Sequence, residues 1–325
     1  HEPMRIADHD VSIGVSIGLV RADPGDDTAA LLANADTAMY AAKARGKGAV
    51  ETYQTELARR TTDGSRPRTS LRQALDNDEI AVAYQPIVCL ATDETVGFEA
   101  LARWRVPSGP VAARDFISDA ERQGLIIPID DRVMGQVLDD LPRILDMSVS
   151  TEFLSLNLSA KNLADDGLVE RVSQTLHDTG VDPHTLVIEI TEPSRHADIG
   201  RLADQLTGLK QLGARIALDD YGHGSGPSSV TTLRDLPIDI VKITGRLVQD
   251  VTVDPRLVGG LISLGRSLGL TVVAECIESE EQRDVLHGLG CELGQGYQIG
   301  GPVMRSELHY QLSQQLTARV TDRRR

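Results

Sequence analysis

Apolar, β-branched runs alternate with amphipathic stretches along most of this chain. Strands are predicted at Ile80–Val88, Val96–Trp104, Phe153–Leu158, Thr185–Thr191, Arg215–Asp220, Ile238–Ile243 and Thr271–Cys276, with a last one near Gly294–Ile299. Between them, helical periodicity predicts helices over Ser70–Asn77, Ala113–Gln123, Asp130–Asp146, Gly167–Thr179, Ile199–Leu212, Pro255–Leu268, Ser279–Leu289 and Arg305–Ala318. Roughly eight strand–helix steps over about 250 residues is the proportion of a (β/α)8 barrel. A doubly wound open sheet competes, but it would normally carry a glycine-rich phosphate turn after its first strand, and none is present. Upstream, Val11–Val20 alternates like a strand. The run Ala29–Ala44 sets Leu32, Ala35, Met39 and Ala42 on one helical stripe, Gly46-Lys47-Gly48 stops it, and Ala49–Tyr53 reads as a short strand. About fifty residues make a small domain on their own. The polar stretch Thr61–Thr69 reads as a linker.

Composition narrows the class. With 325 residues, 41% of them hydrophobic, the chain can bury a large core. A net charge of −15 opposes nonspecific binding to nucleic acid or to an anionic membrane. A phosphate-bearing ligand then needs bound metal or a few placed basic groups. Cys89, Cys276 and Cys291 are too few and too scattered for a disulfide framework, so a reduced, cytoplasmic setting is expected. No apolar run reaches the roughly 18 residues needed to span a bilayer, and no signal peptide is visible. The chain begins at His1 rather than Met and reads as a fragment, with any upstream sensor or anchor outside it.

Polar and acidic residues recur at the ends of the apolar runs. Asn157, Glu189, Asp219, Asp220, Lys242 and Glu275 all stand there, whereas Glu99 lies inside its strand. In a parallel barrel, strand C-termini face one mouth. Converging carboxylates repel unless a cation sits among them, and oxygen-only donors suit Mg²⁺ or Mn²⁺. The eight histidines are scattered, with no zinc spacing. The adjacent pair Asp219-Asp220 can serve two ions, an arrangement suited to in-line phosphoryl displacement. Taken singly, each acid reads as a helix cap or loop anchor, and Asp219-Asp220 before Gly222 as a turn. Taken together in matched positions, they read as a site.

Several ordered motifs resemble one family. YQPIVCLATDETVGFEALARW (Tyr84–Trp104) is similar to the opening of an EAL domain, the cyclic-di-GMP phosphodiesterase family. LNLS (Leu156–Ser159), IEITE (Ile188–Glu192), LDDYG (Leu218–Gly222), VVAECIE (Val272–Glu278) and GQGYQIG (Gly294–Gly300) follow in family order. The resemblance implies a modified TIM barrel, irregular through one antiparallel strand. It also implies hydrolysis of cyclic-di-GMP to linear pGpG with two Mg²⁺ or Mn²⁺ ions. By resemblance, Glu99, Asn157, Glu189 and Asp219 hold the first metal, Asp219 bridges to a second that Asp220 also binds, and Glu275 holds or polarises metal-bound water. Lys242 stands beside the nucleophilic water, Gln295 in the water network, Arg103 on a substrate phosphate, and Glu192 anchors the loop after the fifth strand. Relatives also imply a homodimer through this domain.

Departures from the family pattern motivate a second expectation. The usual DDFGTGYSSL loop reads DDYGHGSGPSSV here (Asp219–Val230), Thr244 replaces the aspartate of Lys-Ile-Asp, and Pro193 replaces a serine. Binding is expected to survive these changes better than turnover, so the alternative is a weakly active or inactive cyclic-di-GMP receptor. VSIGVSIGLV (Val11–Val20) and ADTAMYAAKARGKG (Ala35–Gly48) resemble the end of a GGDEF domain, without its catalytic half. The expected organisation is a GGDEF remnant at 1–56, a linker at 57–69, the EAL domain at 70–318 and a basic tail at 319–325.

Overall fold

A computed structural model describes residues 4–6, 9–11, 17–20, 50–52, 70–106, 109–148, 150–191, 198–222 and 228–312. The chain divides into two compact units, His1–Ser70 with Val106–Gly109, and Leu71–Arg105 with Pro110–Arg325. In the first, Met4–Ile6 pairs antiparallel with His9–Val11, and Ile17–Leu19 pairs parallel with Val50–Thr52. Of the strand predicted over Val11–Val20, Val11 and Ile17–Leu19 are in strand, and residues 12–16 lie outside the described residues. The helix expected over Ala29–Ala44, the linker and the basic tail lie outside the described residues.

The second unit is a closed barrel. Its staves are β1 (Ile80–Cys89), β2 (Thr95–Val106), β3 (Phe153–Asn157), β4 (Leu186–Thr191), β5 (Arg215–Tyr221), β6 (Ile240–Ile243), β7 (Thr271–Ala274) and β8 (Leu293–Gly294). Strands β2 to β8 run parallel in sequence order. Strand β1 closes the ring antiparallel, pairing with both β2 and β8. The hairpin Tyr84-to-Phe98 region explains this reversal: β1 and β2 are joined by a short turn at Leu90–Glu94, too short for a parallel crossover. Strand interiors are buried on both faces, as a sheet covered by helices requires.

The barrel floor is apolar. Ile87, Phe153, Val187, Ala217, Ile240 and Val273 form one cluster, with Val96 and Leu293 against it. Gly97 is needed opposite the Phe153 ring, because a Cβ there would lie 2.5 Å from it. Side chains alternate along a strand, so residues two positions further on line the next layer up. That step leads from Gly97 to Glu99, Phe153 to Ser155, Val187 to Glu189, Ala217 to Asp219, Ile240 to Lys242, Val273 to Glu275 and Leu293 to Gln295. Stepping back along antiparallel β1 leads from Ile87 to Gln85, which pairs with Glu99 in register. A polar layer therefore stands directly on an apolar one.

The outer helices match expectation closely, with instructive exceptions. The helix predicted from Asp130 starts at Ile126, since Pro128 sits in the first turn, where its missing N–H loses no bond. It buries Ile126, Ile129, Val133, Val137, Leu141 and Ile144 as one stripe. Ser279 and Gln282 form a capping box that starts Glu280–Gly288. The strand expected over Gly294–Ile299 ends at Gly294. Beyond it the chain turns back on itself, with Ile299 and Gly300 N–H donating to the Gly296 carbonyl. Helices Ser228–Asp235 and Gly245–Gln249 were not foreseen, the first because its Ser/Thr-rich sequence has weak helical propensity.

The helix Ile126–Met147 carries a buried acid beneath the mouth. Asp130 Oδ2 accepts from the Ser159 N–H (3.1 Å) and from Asn162 Nδ2 (3.3 Å). Burial pushes its pKa up to about 6, despite those donors. The folded protein therefore binds this proton more tightly than the unfolded chain does. The stability it contributes is full below about pH 4 and lost as pH rises through about 6. An asparagine keeps one oxygen to accept both bonds and carries no charge. Asp130→Asn should be more stable than wild type at pH 8 by up to about 3 kcal/mol, with the gap closing by pH 4. Urea unfolding across that range checks it, and a gap independent of pH would remove the buried charge as its cause.

Candidate active site

The polar layer converges on one ammonium. Lys242 comes from β6 and is 1% exposed. Its Nζ lies 2.7 Å from Glu189 Oε2, 2.9 Å from Glu275 Oε1, 3.2 Å from Glu99 Oε2 and 3.8 Å from Asp219 Oδ1. The four carboxylates arrive from β4, the end of β7, β2 and β5. Asn157 Nδ2 donates to Glu99 Oε1 at 2.9 Å and Gln295 Nε2 to Glu99 Oε2 at 2.7 Å. Seven of the predicted residues thus come together: Glu99 and Lys242 at the centre, with Asn157, Glu189, Asp219, Glu275 and Gln295 around them.

The others stand apart from this cage. Asp220 is exposed on the rim, with a left-handed φ of 54° and its N–H donating to Asp219 Oδ1 at 2.8 Å. Arg103 is half-buried, and its Nη1 donates to the Ala102 carbonyl at 2.9 Å. Glu192 lies outside the described residues. Sequence reasoning missed Gln85 and Ser155, which share the layer. The Ser155 Oγ is buried with no hydrogen-bond partner. The period-two step from Phe153 could have found it, once β3 was known to face Phe153 inward.

Electrostatics show a shortage of positive charge. Fully ionised, the cage sets four carboxylates against one ammonium. Burial lowers the Lys242 pKa, but the surrounding acids more than reverse this and hold it well above its usual value. Burial raises Glu99, yet Lys242 with the Gln295 and Asn157 amides outweighs it and keeps that carboxyl below its usual range. Glu189 is driven well up by burial and by Glu99, Asp219 is raised by burial, and Glu275 is pushed by burial to about 8. One acid is compensated and three are not.

That imbalance is the test for a metal. Protonation can relieve it, and so can a divalent cation, which adds the missing charge without adding protons. The donors are oxygens, as hard cations require, and Gln295 Oε1 is buried without a partner. As the side chains stand, no three His, Cys, Asp or Glu among the described residues converge with metal-binding spacing, because the ammonium lies between them. The donor set fits a divalent cation in charge and kind. By contrast, a cavity of about 970 Å³ elsewhere on the barrel is lined by none of these residues. Its acid Asp140 is already paired, with Tyr84 at 2.7 Å and Arg305 at 2.6 Å.

Comparison with known proteins fits this geometry. The family model described as EAL domain matches residues 68–302. The chain belongs to the EAL family. Among curated EAL relatives, an "Uncharacterized signaling protein" of Caulobacter vibrioides is 37% identical over 308 residues, covering 92% of this chain and 37% of that protein. The "Bifunctional diguanylate cyclase/cyclic di-GMP phosphodiesterase MucR" of Pseudomonas aeruginosa is 32% identical over 313 residues, covering 94% of this chain and 45% of that protein. The chain thus spans less than half the length of these relatives. The solved "PaMucR Phosphodiesterase, c-di-GMP complex" is 33% identical with a TM-score of 0.68, covering 73% of this chain and 97% of that one. The FimX EAL domain from Pseudomonas aeruginosa bound to c-di-GMP is 26% identical with a TM-score of 0.62, covering 72% and 94%. Among the described residues, no helix is long and apolar enough to cross a membrane.

Lys242 anchors the cage, so its removal should be costly. Lys242→Met leaves buried acids without their cation and should destabilise the chelator-treated protein by about 3–5 kcal/mol. Adding Glu189→Gln should recover part of that loss. Denaturant unfolding of the two variants reads both effects, and a Lys242→Met loss under about 1 kcal/mol would show that the cage holds the lysine only weakly.

Proposed function

We propose that this EAL domain hydrolyses cyclic-di-GMP to linear pGpG with Mg²⁺ or Mn²⁺ bound at the cage. The observation that carries the proposal is the buried acid excess around Lys242, standing where strands of an EAL barrel end. Glu99, Asn157, Glu189 and Asp219 would hold one ion, and Asp219 with Asp220 a second. The bound ions would supply charge for the phosphodiester and acidify a water.

The chain's own groups do the rest. Glu275, which reaches the cage from the end of β7, would take the proton from that water. Lys242, 2.9 Å from Glu275, keeps that carboxyl turned inward and balances charge as the water is deprotonated. Gln295 fixes Glu99 through a 2.7 Å bond and leaves its carbonyl oxygen to orient a water. Arg103 offers a planar guanidinium for a non-bridging phosphate oxygen. Apolar Phe153 and its neighbours below exclude solvent from the floor.

A receptor reading draws on Thr244. It is 4% exposed and directly follows β6, where the family pattern has a carboxylate. Ligand binding needs the same pocket, so only turnover separates the two readings. Incubation with cyclic-di-GMP and Mn²⁺, resolved by chromatography, should give pGpG that vanishes in Glu99→Ala. Intact dinucleotide after prolonged incubation with a protein that binds it would establish the receptor instead. Thr244→Asp should raise kcat or lower the Mn²⁺ concentration needed for half-maximal rate. Unchanged kinetics in that variant would remove the missing carboxylate as a limit on turnover.

A further inference from the structure

Away from the cage, the cavity of about 970 Å³ gathers polar atoms that the fold leaves without partners. Its walls come from the start of β1, the helix Ile126–Met147 and the chain from Met304 to His309. Arg132 Nε and His309 Nε2 are buried and make no hydrogen bond. Asp140 Oδ1 lies 2.6 Å from Arg305 Nε, but without the alignment of a hydrogen bond. Its charge is compensated, whereas its acceptor capacity is not. Burial holds the Asp140 carboxyl above its usual pKa. Buried polar atoms of folded proteins are nearly always satisfied, by protein, by water or by a bound molecule. Three unsatisfied ones on a single cavity, of a volume usual for small-molecule sites, call for an occupant.

The charges narrow its chemistry. Arg132 pairs with Asp78, Arg305 with Asp140, and Asp131 with Arg171, which is not part of the lining. One group of each sign is left over. The Arg105 guanidinium donates only to the Asp78 carbonyl. Asp139 makes no ion pair or hydrogen bond among the described residues. Leu75, Ile80, Val82, Pro128 and Met304 add apolar wall. A simple anion would be repelled by Asp139 and Asp140, and a simple cation by Arg105 and Arg132. A zwitterion meets neither objection.

We propose that this cavity binds a free α-amino acid with a large apolar side chain. Its carboxylate accepts from Arg105 and from Arg132 Nε, its ammonium donates to Asp139 and to Asp140 Oδ1, and its side chain lies on the apolar wall. Each leftover group then has a counterpart of opposite kind. The cage contributes nothing to this site, so the assignment stands whether or not the domain cleaves cyclic-di-GMP.

Titration calorimetry and thermal unfolding of the whole chain with L-phenylalanine test it. Binding should be saturable at one molecule per chain and should raise the Tm. L-phenylalaninamide lacks the carboxylate, 3-phenylpropionate lacks the ammonium, and glycine lacks the apolar side chain. Each should bind at least about 10-fold more weakly. Arg105 and Asp139 are exposed, so their variants should fold. Arg105→Gln and Asp139→Asn should each weaken L-phenylalanine binding by about 10-fold. Neither heat nor a Tm shift with millimolar L-phenylalanine or L-leucine overturns the site. Equal affinity for the amide and for 3-phenylpropionate, or unchanged affinity in both variants, overturns the recognition of a zwitterion and with it the proposal.

Discussion

A lysine ammonium enclosed by four carboxylates is the constraint from which the rest of this barrel follows. Such a group survives burial only if every acid reaches it from a fixed direction. No single strand or helix can do that. A closed ring of strands can, because neighbouring staves bring side chains of the same layer toward one axis. The Phe153 floor beneath supplies the stiffness, and Gly97 makes room for its ring. The apolar layer and the charged one are two halves of a single device, separated by two residues on each strand.

Much of this was legible in the sequence. Alternating runs and helical stripes located nearly every stave and its following helix, because long periodic segments depend little on tertiary context. Polar residues at strand ends pointed to Asn157, Glu189, Asp219 and Glu275, and the structure brings all four together around Glu99 and Lys242. Glu99 was different. It lies in the middle of a twelve-residue strand that overshoots the mouth, so only the family resemblance singled it out. Ser155 and Gln85 escaped because both faces of β3 and β1 are apolar enough that composition does not tell inside from outside. The turn after Gly294 was mistaken for strand because its backbone bonds to Ile277 and to itself rather than to a neighbouring strand.

The same physics explains why Asp219 and Asp220 have different surroundings despite being adjacent. Asp219 points into the cage, and the strand then bulges through a left-handed Asp220 before Tyr221 pairs again with Ile243. Glu275 is followed in the same way by Cys276, with a φ of 55°. Non-glycine residues in that region cost about 1 kcal/mol or more. Both strained residues follow an acid of the cage directly. The strain is the consequence of turning one side chain inward and its successor outward within a single peptide.

That pairing bears on how the two ions of the proposed mechanism differ. A first ion would draw on side chains held from inside the barrel, where Glu99, Asn157 and Glu189 are locked by mutual hydrogen bonds and by Lys242. A second would rest on Asp220, exposed and held by its own strained backbone, next to a buried Thr244 that offers only a hydroxyl. Preorganisation therefore falls off across the mouth, from the β2–β4 side to the β5–β7 side. Under the proposed mechanism, affinity for a first ion would be built into the fold, whereas a second would depend on the exposed Asp220. On that reading, the step from binding a cyclic dinucleotide to cleaving it would turn on that weaker side.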